Sequence, residues 1–169
     1  MKVISTRISF VFVLALATLL GAPSAHAKDL TSRLGVGYKN QFSADLPSLA
    51  LQYYPNSDIG LSAALGVDTD DARSLFGLML RLNKIVFGED NLNFYMGAGA
   101  GLLSQKVNGG DNDSGFELTG FVGAESFLPG LESLGFSFET GVAITSIDSG
   151  VRFRTVGDSP LRAGMTFYF

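Results

Sequence analysis

Seven charged residues stand where a folded chain could gather them on one face: Arg33, Lys39, Arg81, Glu117, Glu125, Glu139 and Arg162. Each lies in a run where polar or small residues alternate with apolar ones, the spacing that puts alternate side chains on one side of a strand. An unpaired charge is costly in an enclosed site, and an Arg–carboxylate pair satisfies several donors and acceptors at once. These residue types therefore support an internal salt-bridge network. Glu125 and Glu139 could share a proton as a carboxylate pair, but nearby arginines favour structural ion pairs. Nucleophilic catalysis has little to work with. The chain has no cysteine, and its single histidine, His26, lies in the N-terminal leader, which removes Ser–His and Cys–His arrangements and His-containing metal sites. No nucleotide, haem or zinc motif occurs. The expectation is a protein that is not an enzyme, with no catalytic residue, no metal and no cofactor.

Two loop features offer other chemistry. Asp68, Asp70 and Asp71, and separately Asp111 and Asp113, carry hard oxygen ligands, but neither group has the spacing of a calcium loop, and both read as solvated turn residues. Arg152-Phe153-Arg154 alternates basic, aromatic and basic, so its guanidiniums could contact phosphates as a surface-contact loop. Val151, Phe153 and Thr155 also alternate, which favours reading the same stretch as a continuing strand.

The N-terminus has the pattern of a secretory leader. Lys2 and Arg7 precede an apolar run from Ile8 to Leu20, followed by Ala25-His26-Ala27, a small-residue cleavage pattern. The run is shorter than the roughly 20 apolar residues of a membrane-spanning helix. The expected division is a signal peptide over 1–27 and one domain over 28–169. Removing the leader leaves 10 basic against 16 acidic residues, a net charge of −6, which argues against nucleic acid as a partner. The 21 glycines, with Phe, Leu and Val in short alternating runs, give a β composition.

The alternation divides the domain into about eight strands. Leu34, Val36, Tyr38 and Phe42 oppose Arg33, Gly35, Gly37, Lys39 and Gln41, and residues 43–47 turn. Further strands are expected around 49–54, 59–68, 75–82, 92–102, 116–127 and 136–145, then a polar segment over 146–160 and a last strand over 161–169. Phe116 to Phe127 carries apolar residues on both faces. Charge decides it, because an ionised residue facing lipid at mid-bilayer costs up to a few kcal/mol. Glu117 and Glu125 therefore point inward with Thr119, Phe121 and Gly123, leaving Leu118, Val122 and Ala124 outside. Following the strands places Arg33, Arg81, Glu125 and Glu139 at one depth, and Lys39, Glu117 and Arg162 nearer the other end. Outward aromatics collect at strand ends: Phe42, Phe76 and Phe116 at one end, and Tyr53, Phe94, Phe136, Phe138, Phe167 and Phe169 at the other. Two aromatic girdles around an aliphatic band are what a membrane barrel presents.

The final strand, Leu161 to Phe169, sets Arg162, Gly164, Thr166 and Tyr168 against Leu161, Ala163, Met165, Phe167 and Phe169. Its pattern Arg162-x-Gly164-x-x-Phe167-x-Phe169 resembles the C-terminal signal of Gram-negative outer-membrane β-barrels. The signal peptide and strand pattern likewise look like the small OmpA/OmpX-type group. The resemblance implies an all-β, antiparallel up-and-down barrel in the outer membrane of a Gram-negative bacterium. It also implies that the barrel-assembly machinery reads Arg162, Gly164, Phe167 and Phe169, and that both chain ends lie on the periplasmic side. Outer-membrane lipid and lipopolysaccharide would be its surroundings, with Arg152, Phe153 and Arg154 placed against lipopolysaccharide phosphates. The oligomeric state stays open. The first functional reading is a structural or surface-interaction protein whose lumen is plugged by small residues and the Arg/Glu network. The alternatives are a narrow pore or hydrophobic-solute conduit, an outer-membrane enzyme, and a soluble ligand-binding barrel turned inside out.

Overall fold

The computed structural model describes residues 28–70, 73–107, 112–147, 150–155 and 161–169; the expected leader, 1–27, lies outside the described residues. Nine strand segments follow in order: β1 (Leu34–Asn40), β2 (Pro47–Tyr53), β3 (Ile59–Thr69), β4 (Arg73–Glu89), β5 (Leu92–Val107), β6 (Asn112–Leu128), β7 (Leu131–Ile147), β8 (Gly150–Thr155) and β9 (Arg162–Tyr168). Each of β1 to β7 pairs antiparallel with the next. β7 then pairs with β9 over Leu134 to Glu139 and with β8 over Val142 to Ile147. β9 also pairs with β1, which closes the sheet on itself. β8 and β9 are thus two pieces of one eighth wall strand, and the fold is a closed eight-stranded antiparallel barrel. An interior of this size is one that side chains can fill.

The expected polar segment over 146–160 is partly strand, because β7 runs on to Ile147 and turns back as β8. The neighbouring strands are also longer than their apolar runs suggested. β4, β6 and β7 each have 17 residues and β5 has 16. At roughly 3.3 Å per residue and a tilt near 40°, such strands stand about 40 Å tall, beyond the ~30 Å of a hydrocarbon layer. The added length is polar and paired across the hairpins, as in Lys106 opposite Asn112 and Arg73 opposite Val107, so backbone hydrogen bonds carry the strands past the point where alternation fades. At the opposite end the connections are tight. Asp90-Asn91 joins β4 to β5, and Pro129-Gly130 joins β6 to β7, with Gly130 at φ 86°, a left-handed conformation that glycine adopts without strain.

The two faces divide as the alternation requires. Outward residues from Phe76 to Leu82 on β4, Phe94 to Leu102 on β5, Phe116 to Ala124 on β6 and Phe136 to Ile144 on β7 are all uncharged. Leu80, Leu102 and Leu49 are more than 60 % exposed, whereas Arg81, Glu117, Glu125 and Glu139 are buried. A ligand-binding barrel in water would need the reverse, with apolar residues lining the inside. Phe42 departs from the expectation: it is buried inside the barrel and does not face out. β1 ends at Asn40, and residues 41–46 leave the wall and enter the lumen, so the period-two rule stops applying before Phe42.

Two apolar clusters result. At the end where β3 to β8 meet their long hairpins, Phe42 and Leu46 pack with Ala50, Ala64, Leu75, Met79 and Leu103. At the end of the tight turns, Leu30, Tyr54, Phe127 and Tyr168 pack together, with Ile85 against them. Lumen glycines make room for these plugs. A Cβ on Gly66 would sit 2.7 Å from Leu46 Cγ, and one on Gly77 would sit 2.7 Å from Phe42 Cε1. Gly77→Val is therefore expected to displace Phe42 and to destabilise the barrel by about 1–3 kcal/mol, the usual range for overpacking. Urea unfolding of the refolded barrel in micelles, followed by tyrosine fluorescence, measures it; an unchanged midpoint and slope would mean that the plug is not seated as described.

Candidate functional site

Between the two plugs lies a layer of six buried ionisable side chains, with Lys39, Arg81 and Arg162 matched in number by Glu117, Glu125 and Glu139. β1, β4, β6, β7 and β9 each contribute, because these positions share the inward parity of their strands. The formal charges balance within the lumen, yet one ion pair is formed directly among them. Arg81 Nη2 donates to Glu139 Oε2 at 2.7 Å, and Tyr95 Oη donates to Glu139 Oε1 at 2.7 Å. The Arg81 guanidinium carbon also lies 3.5 Å from the centre of the Phe121 ring, a cation–π contact in a dry setting.

The other members are held by neutral partners. Glu125 accepts from Tyr168 Oη at 2.9 Å through both oxygens, which ties this carboxylate to the turn-end plug. Lys39 Nζ donates to Gln52 Oε1 at 2.5 Å, and Gln52 Nε2 donates to Tyr54 Oη at 2.6 Å, a second link to the same plug. Arg162 Nη1 donates to the Gln41 carbonyl at 3.0 Å. Glu117 accepts from the Ser43 amide at 3.0 and 3.1 Å and from Ser43 Oγ at 2.6 Å. The inturned segment 41–46 is therefore fastened by Arg162 on its carbonyl side and Glu117 on its amide side. A carboxylate receiving a backbone N–H and a hydroxyl is well satisfied without a cation.

The structure thus brings six of the seven expected charges into the lumen and leaves Arg33 at its rim. Arg33 is half-buried in the 28–33 segment, whose backbone pairs with the 54 region: Ser32 N donates to the Tyr54 carbonyl and Tyr54 N to the Arg33 carbonyl. Sequence reasoning missed Ser43, Tyr95, Tyr168, Gln52 and Gln41 as partners. The apolar pair Phe42 and Leu46, set four apart where the expected first strand passes into a supposed surface turn, was the available signal for the inturned segment.

At the rim of the tight-turn end, Lys28 Nζ meets Glu132 Oε2 at 2.6 Å, and this hydrogen bond holds the Glu132 carboxyl below its ordinary pKa. Hydrogen bonding by Thr31 lowers that of Asp29 in the same way. Folded-state pKa values depressed like these favour folding above the unfolded carboxylate value and lose that contribution as pH falls through the folded one.

The four residues of the expected assembly pattern lie on the closing strand. Phe167 and Phe169 face outward and Arg162 faces in. Gly164 leaves room for Lys39, whose Cγ would lie 2.5 Å from a Cβ there. Phe169 and Leu34 exchange backbone hydrogen bonds at 2.9 and 3.2 Å, extending the seam between β9 and β1. Arg152-Phe153-Arg154 does not form a single contact surface. On β8, Arg152 is opposite Thr145 and Arg154 opposite Ala143, both inward positions, while Phe153 is 64 % exposed outside. The stretch is a strand, as the alternation of Val151, Phe153 and Thr155 favoured, and strand geometry separates the members of the contact-loop alternative. Asp111 and Asp71 lie outside the described residues. Among the described residues no group of acidic side chains is arranged to hold a metal ion.

Removing one partner of a buried ion pair costs about 3–5 kcal/mol, because the other charge is left uncompensated. Glu139→Gln is expected to lose stability in that range, whereas the double replacement Arg81→Met with Glu139→Leu should recover most of it. Urea unfolding of wild type, Glu139→Gln and the double replacement in micelles measures both differences; equal stability of wild type and Glu139→Gln would remove the pair from the argument.

No protein-family profile matches the chain, and no curated protein matches it. Among solved structures it is similar to the N-terminal β-barrel domain of Pseudomonas aeruginosa OprF, with a TM-score of 0.60 and 15 % identity, covering 82 % of this chain and 98 % of that one. At that identity the likeness speaks to fold: together with the closed antiparallel wall, it shows that the chain has the eight-stranded barrel fold of that domain.

Proposed function

We propose that the chain is an integral outer-membrane protein with a structural or surface-interaction role, exported by removal of residues 1–27 and carrying a lumen that is held shut. The observation that carries this reading is the inversion of polarity: an uncharged apolar band outside and six buried ionisable groups inside. Lipid can solvate the first, and only an enclosed, internally paired lumen can hold the second. The band spans about nine residues per long strand, the number a tilted strand needs to cross a bilayer. The tight-turn end would face the periplasm, and the extended hairpins of β4 to β7 would stand outside the membrane among lipopolysaccharide. β9 would present the pattern read by the assembly machinery.

Closure of the lumen is supported by an apolar plug at each end with the charged layer between them. An acid–base role is disfavoured because the lumen carboxylates are engaged by Arg81, Tyr95, Tyr168 and Ser43. Two measurements test the reading. Expressed with its leader in a Gram-negative host, the wild type should fractionate with the outer membrane and change gel mobility on boiling, while a chain lacking Phe169 should fail to accumulate there. A soluble product without a mobility change would overturn the membrane assignment. In planar bilayers the wild type should be silent. Steady wild-type conductance would replace the closed barrel with the narrow-pore alternative.

A further inference from the structure

Above the plug formed by Phe42 and Leu46, on the side away from the charged layer, the mouth of the barrel holds a cavity of about 420 Å³. Its floor is apolar: Leu75 and Leu103 belong to the plug cluster, and Ile147 packs against it. Its walls carry Arg73, Arg152 and Arg154, against a single carboxylate among the described lining residues, the exposed Asp45. Two of the guanidiniums have a hydrogen-bond acceptor nearby. Arg73 Nη2 donates to Gln105 Oε1 at 2.7 Å, and Arg154 Nη1 donates to the Ser43 carbonyl at 2.9 Å. The described lining thus carries three arginines in a chain with 12 basic and 16 acidic residues.

We infer that this mouth is a binding site for a small oxyanion with a short apolar body, a carboxylate or phosphate monoester whose head meets the arginines and whose body rests on Leu75, Leu103 and Ile147. The volume lies within the roughly 300–1,000 Å³ of small-molecule sites. A guanidinium fork matches either oxyanion bidentately, and an apolar floor rewards a body that a free inorganic ion lacks. The direction of the side chains selects a solute from outside over a neighbouring lipid headgroup. Arg152 and Arg154 share the inward face of β8 with Gly150, whereas Val151 and Phe153 face out at 74 % and 64 % exposure. A phosphate lying against the outer wall would meet those two apolar residues and not the arginines. Because the cavity sits on top of the plug, occupancy needs no opening of the lumen, and the site is independent of whether the barrel conducts.

The test uses the refolded chain in nanodiscs, with retained heat-modifiability as the control for folding, and calorimetric titration of water-soluble probes. 3-Phenylpropionate and phenyl phosphate should bind. Acetate, inorganic phosphate and the neutral 3-phenylpropanol should each bind roughly tenfold more weakly or worse, since each lacks one half of the recognition. Arg73→Gln with Arg152→Gln, both exposed positions outside the lumen network, should weaken the two aryl anions by a similar factor while the mobility shift is kept. Equal binding of the neutral alcohol, or of the double variant, would show partition into the lipid and overturn the site. Inorganic phosphate binding as tightly as phenyl phosphate would overturn the role of the apolar floor. Absence of heat of binding for both aryl anions on a barrel that still shifts on boiling would overturn the proposal while leaving the membrane assignment standing.

Discussion

Six ionisable side chains are enclosed within a wall that is apolar on its outer side, and the desolvation of those groups is the constraint from which much of the architecture follows. A charge of this kind must find partners inside or be destabilising by several kcal/mol. The barrel meets the demand in three ways. One cation and one carboxylate pair directly, Arg81 with Glu139. Two groups are hydrogen-bonded by side chains that continue into the turn-end plug, Glu125 through Tyr168 and Lys39 through Gln52 to Tyr54. Two others, Glu117 and Arg162, take backbone groups of the inturned segment as partners. The polar layer and the plugs are consequently one construction, since the charges orient the segments that close the lumen and those segments keep water from the charges.

The same arrangement explains the glycine content better than flexibility does. Lumen positions such as Gly66, Gly77 and Gly164 face Leu46, Phe42 and Lys39 across distances that a methyl group would fill. A narrow barrel holding bulky plugs and long charged side chains has to be lined with the smallest residues wherever those groups pass. Glycine is disfavoured in strands for its entropy and lack of packing surface, and here its smallness outweighs that.

The wall is uneven in height. β1, β2 and β9 are seven residues each, while β4 to β7 reach 16 or 17. On the short side the chain between β1 and β2 turns inward and fills the space, and the eighth wall strand is divided into β8 and β9. On the tall side the hairpins rise beyond the apolar band and form the rim of the mouth, with β8 completing it through its pairing with the upper half of β7. The functional surface at the mouth therefore comes from an asymmetry in strand length, with Arg73 on the tall wall and Arg152 and Arg154 on the divided one.

The sequence by itself determined the strand count, the closing strand and the direction of nearly every wall side chain, including the choice of face for Phe116 to Phe127. Those features are local: period-two geometry assigns the faces, and the cost of a charge in lipid decides which face is outside. It also identified which charges would be enclosed, since parity alone sends Lys39, Arg81, Glu117, Glu125, Glu139 and Arg162 inward. Only the tertiary structure decided what those charges touch. Glu117 and Ser43 are 74 residues apart, and Arg81 and Glu139 are 58 apart, so their meeting depends on barrel stagger, which alternation does not encode. The inward turn at residues 41–46 was hidden for the same reason: Phe42 continues the parity of Tyr38, and only the space left by Gly66 and Gly77 on other strands draws it inside. The alternation of Val151, Phe153 and Thr155 already favoured a strand there, but the cavity that Arg152 and Arg154 border required β7 to pair with β8 beyond the apolar band.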